Sequence, residues 1–263
     1  MKGYVYYAEQ EALRNRLFID DLMKEATRVA IDLHLLTGQE RPDRDADFIL
    51  FRDRNPEQAT AFEQEGFRLL NRAEVNRIAN DKLKAFQLAT LLGVPAVPTK
   101  SIQEVHEIHS YPCVLKTVDG HGGQEVILCN SEAQASIFLK QFHNEHIIVQ
   151  PYIESGACDV RVFMIGEEVV GAVKRTGNDS FKSNYTLGGS VEKYILAGWQ
   201  LQDVQIIASA LKSDYIGIDF ILLPDGGWLF NEIEDPVGAR SLYTTHDFSV
   251  ARELMRYIKE RLS

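Results

Sequence analysis

Residues 215–234 constrain the fold more than any other stretch. Two apolar runs, Tyr215 to Leu223 and Trp228 to Ile233, flank Pro224-Asp225-Gly226-Gly227. That composition turns an antiparallel pair of strands back on itself. With Asp225 and Gly226 as a two-residue loop, Leu223 faces Trp228, Ile221 faces Phe230 and Asp219 faces Glu232. Glu234 then follows on the face of Glu232, about 6.6 Å along the strand. Like charges opposed across a sheet repel, and a divalent cation reverses that penalty. Oxygen-only ligands, with no His or Cys nearby, select Mg²⁺ or Mn²⁺ over zinc. The competing reading is a solvated acidic face. In this register that face also carries Ile221, Leu223, Trp228 and Phe230, so it is not plainly water-facing. Register is decisive, because a slip of one residue sends every side chain to the other side of the sheet.

The chain has 263 residues, 45% of them hydrophobic, enough for one broad domain or two to three small lobes. Its 28 basic and 38 acidic residues give a net charge of −10. Such a surface repels nucleic acid and anionic membranes, and no basic run offsets it. The first residues lack the apolar core and cleavage site of a signal peptide, and no apolar stretch approaches the ~20 residues that span a bilayer. Cys113, Cys129 and Cys158 have no metal-ligand spacing and read as small hydrophobes of a reduced compartment. A cytoplasmic location is expected.

Along the chain the pattern alternates at first. Strands are expected at Tyr4–Ala8, Val29–Leu36 and Phe48–Phe51. A helix presenting Leu13, Leu17, Leu22 and Ala26 lies between the first two, and another spans Pro56–Gln64. A longer helix is expected over Ala73–Leu92, stopped by Gly93, Pro95 and Pro98. Strands at Cys113–Val118, Glu125–Cys129 and Ile147–Gln150 surround a helix over Ser131–His143. The last third is richer in antiparallel signals. Asp159–Ile165 and Val169–Arg175 flank Gly166, a helix near Gln202–Lys212 precedes the acidic hairpin, and a helix from about Asp247 closes the chain. Its apolar face is Phe248, Ala251, Leu254, Ile258 and Leu262. The expected architecture is α/β at the front and two α+β lobes behind.

Several clusters carry chemistry. Lys116 ends a strand and is followed by Gly120-His121-Gly122-Gly123. Glycines let backbone amides approach phosphate oxygens and a lysine adds charge, although a plain glycine-rich turn has the same composition. Gln150 to Ile153 leaves a strand with backbone groups that can pair with a purine edge, Ile153 packing on the ring. Asp159 and Arg161 share one face of a strand and Lys174-Arg175 ends its partner. These are surface ion pairs or, alternatively, cations converging on a transferred phosphoryl group. The polar stretch 180–190 contains Phe181, Tyr185 and Leu187, more than a connector needs, and reads as lining a site with Asn184 as a polar ligand.

The order of these parts resembles the ATP-grasp superfamily, most closely the RimK-like carboxylate–amine ligases. The order is Asn80-Asp81-Lys82, Lys116, Gly120 to Gly123, Gln150 to Ile153, Asp159 with Arg161, Arg175, Asn184 with Gly188-Gly189, Asp219, then Glu232 and Glu234 with Pro236. The resemblance implies an N-terminal lobe over residues 1–77, a central lobe over 78–150 and a C-terminal lobe over 151–263, the last two clamping ATP. It implies that Lys82 and Lys116 hold the nucleotide phosphates beneath a mobile loop of Gly120, Gly122 and Gly123. Gln150, Tyr152 and Ile153 would form the adenine hinge, and Asp159 would accept from the ribose hydroxyls. Arg161, Arg175 and Asn184 would surround the γ-phosphate and an acyl phosphate, and Asp219, Glu232 and Glu234 would hold Mg²⁺ or Mn²⁺. The family pattern Glu-x-Asn is here Glu232-Ile233-Glu234, an added charge that should tighten metal binding. Arg240 follows in a turn that also departs from the pattern and is a candidate for gripping a carboxylate.

The implied activity is ATP- and Mg²⁺-dependent joining of a small-molecule or peptide carboxylate to an amine. Catalysis would come from positioning and charge stabilisation, without a protein nucleophile. Two other readings are a nucleotide-binding regulatory protein without ligation and a phosphotransferase. The intact set of lysines, arginines and carboxylates argues against lost chemistry. A homo-oligomer is compatible with all three.

Overall fold

The computed structural model describes residues 1–123, 125–177 and 189–263. Three sheets organise the chain. In the first, β1 (Lys2–Tyr7) lies between β2 (Asp32–Thr37) and β3 (Phe48–Phe51), with β4 (Leu69–Leu70) beyond β3, all parallel. Both faces of β1 are buried. Val5 and Tyr7 join a core with helix α2 (Arg16–Arg28), while Tyr4 and Tyr6 pack with Ala59 and Phe62 of α3 (Pro56–Gln64). This two-sided burial is what a parallel strand covered by helices requires.

The expected first helix is broken at Asn15 into α1 (Glu9–Arg14) and α2. Its buried stripe is Ala12, Ile19, Leu22 and Ala26, whereas Leu13 and Leu17 are 78% and 87% exposed. The break shifts the helical phase, so leucines that line up on one continuous helix do not line up on two. The expected Ala73–Leu92 helix is also two, α4 (Ala73–Ala79) and α5 (Lys82–Leu91). Asp81 caps the second, its Oδ1 accepting from the Lys84 amide at 2.9 Å.

The second sheet is antiparallel. Its strands are β5 (Lys100–Ile102), β6 (Cys113–Thr117), β7 (Val126–Cys129) and β8 (Ile147–Pro151), in the order β5-β8-β6-β7. Helix α6 (Glu132–Gln141) covers one face, and the other carries Val114, Lys116 and Gln150 toward a cleft. Cys113 and Cys129 are cross-strand neighbours in this buried core; Cys158 is only partly buried.

The third sheet has the order β11-β10-β9-β12-β13, from β9 (Cys158–Ile165), β10 (Glu168–Thr176), β11 (Ser190–Lys193), β12 (Tyr215–Leu222) and β13 (Trp228–Glu234). Helices α4, α5 and α7 (Gly198–Leu211) supply the residues that pack against Val160, Val162, Met164, Ile218 and Phe220 on one face. The opposite face changes character along its length. Phe163, Ile165 and Tyr215 pack with α9 (Val250–Leu262), while Asp159 and Arg161 line the cleft, with the buried Asp219 beside Arg161. Between β13 and α9 lies the short helix α8 (Arg240–Thr245).

The first and third sheets share one core through α9, whose Val250, Ala251, Leu254, Met255 and Ile258 are buried against both. Asn71, 3% exposed, reinforces this junction. Its Nδ2 donates to Tyr215 O at 2.8 Å and to Asp235 Oδ1 at 2.9 Å, and its Oδ1 accepts from the amides of Asp214 and Tyr215. Asn71→Ala should cost about 3 kcal/mol or more, because several buried groups lose their partner at once. The urea midpoint reads this directly. Among the described residues no helix is long and apolar enough to cross a membrane.

Candidate active site

The acidic hairpin forms, but not by the register expected near its turn. Leu223 donates its amide to Gly227 O at 2.8 Å, so Pro224, Asp225 and Gly226 make a three-residue loop, with Gly226 at φ 87°. Pairing therefore runs Leu222 with Trp228, Ile221 with Leu229 and Phe220 with Phe230, not Leu223 with Trp228 and Ile221 with Phe230. A β-bulge at Asn231 then adds one residue to β13 and restores the pairing of Asp219 with Glu232. Trp228 and Phe230 consequently lie in the helix-covered core, where Phe220 stacks on Trp228 at 3.7 Å. They do not share the carboxylate face; Ile221 does border the cleft.

Asp219, Glu232 and Glu234 each offer an oxygen within 4.8 Å of the others. Asp219 is 1% exposed. Arg161 donates Nε to its Oδ1 at 2.7 Å and Nη2 to its Oδ2 at 2.6 Å, and Arg175 donates Nη2 to Oδ2 at 2.7 Å. Burial would raise the Asp219 carboxyl, but the two guanidiniums override it and hold it well below the carboxylate range. Glu232 behaves oppositely. Burial raises it, and repulsion from Glu234 adds to this against the pull of Lys82 and Lys116. Glu234 itself bridges Arg161 Nη2 at 2.7 Å and Arg54 Nη2 at 3.4 Å. An oxygen-only set with repulsion left at Glu232 fits a hard divalent cation, which would relieve it.

Facing this cluster is Lys116, whose Nζ donates to Asn231 Oδ1 at 3.0 Å. The bulge thus re-aims Asn231 across the cleft. Burial lowers the Lys116 ammonium to about 8, with Lys82 adding repulsion and Glu232 resisting. Lys82, in the first turn of α5, donates Nζ to the carbonyls of Gly120 and Val118. Gly120 is closely packed: a Cβ there would meet Thr117 Oγ1 at 2.2 Å. Gly122 and Gly123 adopt φ 66° and 75°, backbone that favours glycine.

At the other wall, Gln150 is 4% exposed and donates Nε2 to Thr99 Oγ1 at 2.8 Å; Tyr152 and Ile153 line the opening. Asp159 accepts both Nε and Nη2 of Arg175, at 2.6 and 2.7 Å. These residues border one cleft of about 420 Å³. Asn184 lies outside the described residues.

Sequence reasoning missed one wall. Tyr7, Arg52 and Arg54 come from the first sheet and the loop after it, Glu11, Arg14 and Asn15 from α1 and its end, and Asp235 from the end of the hairpin. Burial pushes the Asp235 carboxyl up to about 6, against hydrogen bonds from Asn71 and Asn76. The available signal was positional, since residues following parallel strands face the crevice at their carboxyl ends.

Comparison with known proteins places the fold in a family. Residues 78–258 match the RimK-like ATP-grasp domain family. A probable alpha-L-glutamate ligase from Haemophilus influenzae (strain PittEE) is 32% identical over 209 residues, covering 75% of this chain and 70% of that protein. The crystal structure of a D-cycloserine synthetase superposes with a TM-score of 0.81 at 17% identity, covering 100% of both chains. That of a D-alanine–D-alanine ligase from Bacillus anthracis complexed with ATP gives 0.76 at 14%, covering 100% of this chain and 97% of the other. The chain belongs to the RimK-like ATP-grasp family.

Proposed function

We propose that this protein is an ATP- and Mg²⁺-dependent ligase that joins a carboxylate to an amine through an acyl phosphate. The observation that carries the reading is the cleft itself: Glu232 and Glu234 on one wall with the buried Asp219 converging on them, Lys82 and Lys116 opposite and Arg161 and Arg175 between. Residues 78–150 and 151–263 act as the two jaws. Lys82, Lys116 and the backbone of Gly120, Gly122 and Gly123 hold the phosphates; Gln150, Tyr152 and Ile153 seat the adenine and Asp159 the ribose.

Asp219, Glu232 and Glu234 are the residues that would hold Mg²⁺, which when bound offsets phosphate charge. Arg161 and Arg175 then stabilise the charge that develops as the γ-phosphoryl passes to the substrate carboxylate, and Asn184 adds a polar contact there. Both guanidiniums are fixed beforehand by Asp219, so little reorganisation is needed. An amine attacks the acyl carbon and phosphate leaves. The ligase relative and the ATP-complexed fold neighbour support this assignment. The test is phosphate release by purified protein against pooled acids and amines. Release that requires both an acid and an amine is expected; release from ATP with neither, or none on any pool, argues against ligation.

Two further outcomes follow. In EDTA, ADP affinity should fall as pH rises through about 8, since Lys116 loses its proton there and only the ammonium grips phosphate. The slope approaches tenfold per pH unit for one proton taken up. Lys116→Arg should flatten the profile, because a guanidinium stays charged, and calorimetry from pH 7 to 9 distinguishes the two. Glu234→Asn should fold and retain activity but need several-fold more Mg²⁺ for half-maximal rate, as one charge leaves the cluster. An unchanged Mg²⁺ requirement would mean that Glu234 serves Arg54 and Arg161 alone.

A further inference from the structure

Lys116 is held by a side chain that the ligation chemistry leaves unused. Both ends of that contact are rigid. Lys116 stands on β6, which pairs with β7 along one edge and β8 along the other. Across the cleft, Phe230 is pinned just before the bulge. Its amide donates to Pro95 O at 2.7 Å and its carbonyl accepts from the Val97 amide at 2.9 Å. The extra residue, Asn231, borders the cleft, and its Oδ1 accepts from Lys116 Nζ at 3.0 Å. A bulge interrupts the ladder and re-aims a side chain. Here the side chain it re-aims reaches from the third sheet to the second.

The chemistry of this partner is selective. Asp219, Glu232 and Glu234 converge nearby. Glu232 and Asp219 act on the Lys116 ammonium through space. Among the described residues, however, the group bonded to it is an amide and not a carboxylate. An ammonium has three donors and no acceptor, so the bond to Asn231 leaves two for a ligand. The four-carbon stem is flexible, and ordering it costs rotamer entropy. An amide oxygen fixes the stem and leaves the charge intact. A carboxylate in its place would fix the stem and neutralise the charge.

We propose that Asn231 is a positioning residue for the nucleotide phosphates. It orders Lys116 before the nucleotide arrives and, being neutral, leaves the full charge and two N–H donors to phosphate oxygens. This rests on the phosphate role of Lys116 in the ligase reading, and adds a residue that acts through that lysine.

The test is ADP affinity by calorimetry on the full chain, in EDTA so that metal binding does not enter. Asn231→Leu, close in size but without an acceptor, should weaken ADP about tenfold. Beside Lys116→Met the same substitution should change ADP affinity by less than about twofold, because its effect passes through the lysine. Asn231→Asp keeps the shape and the bond, which leaves the test decisive if the leucine variant does not fold. Its carboxylate pairs with the ammonium and should weaken ADP about tenfold or more. A role confined to building the bulge would survive Asn231→Asp and would not depend on Lys116. The proposal is overturned if Asn231→Leu binds ADP as wild type does, if its loss is as large beside Lys116→Met, or if Asn231→Asp keeps wild-type affinity. Wild-type ADP affinity in Lys116→Met alone would instead sink the phosphate role of Lys116 on which the proposal rests.

Discussion

Glu232→Gln should abolish ATP turnover, by at least about a hundredfold, while leaving the metal-free protein as stable as wild type or more so. The two effects separate because the Glu232 carboxylate is useful only to the cation. Burial and the neighbouring Glu234 push its pKa up in the folded chain. A carboxyl raised in this way favours the folded state below its ordinary pKa and loses that contribution as pH rises through the folded value. Ionising the buried group therefore costs stability, and a neutral amide of the same shape removes the cost. Urea unfolding in EDTA and a turnover assay in saturating Mg²⁺ give the pair of numbers. Destabilisation together with retained turnover would show that Glu232 is structural and holds no metal.

Asp219→Asn should lose both properties. Its carboxylate is the shared counter-ion of Arg161 and Arg175, and the bonds of 2.6 to 2.7 Å are made inside the sheet. Removing one charge from such a buried set leaves the two guanidiniums with only Glu234 and Asp159 to balance them, which costs about 3 kcal/mol or more. The pH dependence has the opposite sign to that of Glu232. The folded pKa of Asp219 is depressed, so its stabilisation is present above the ordinary carboxylate value and fades as pH falls through the folded one. Asp219→Asn should therefore lie well below wild type in urea midpoint at pH 7, the gap narrowing toward acid. A variant as stable as wild type at pH 7 would contradict the ion-pair network, whatever its activity.

The sequence revealed the acidic cluster for a reason that was only half right. A two-residue loop would align Asp219 with Glu232 directly. The chain instead uses a three-residue loop and then a bulge at Asn231, and the two one-residue shifts cancel. Pattern reading sees alternation and turn residues, but a bulge depends on what the side chain reaches, here Lys116 from another sheet. The same limit explains Leu13 and Leu17, whose spacing is helical but whose helix breaks at Asn15. Residues on the third sheet and the glycine loop were legible because composition marks them. Arg52, Arg54 and Asn71 were not, since their roles rest on partners more than a hundred residues away, such as Val237, Glu234 and Tyr215.

Ligation through an acyl phosphate is tested most directly by isotope transfer. The acid identified by phosphate release is labelled with ¹⁸O in its carboxylate and turned over with Mg²⁺, ATP and the amine, and the released phosphate is analysed by mass spectrometry. One ¹⁸O per phosphate is the expected result, because the carboxylate oxygen that attacks the γ-phosphorus departs with it. Phosphate released without label, at a rate matching amide formation, would contradict an acyl phosphate and with it the proposed roles of Arg161 and Arg175.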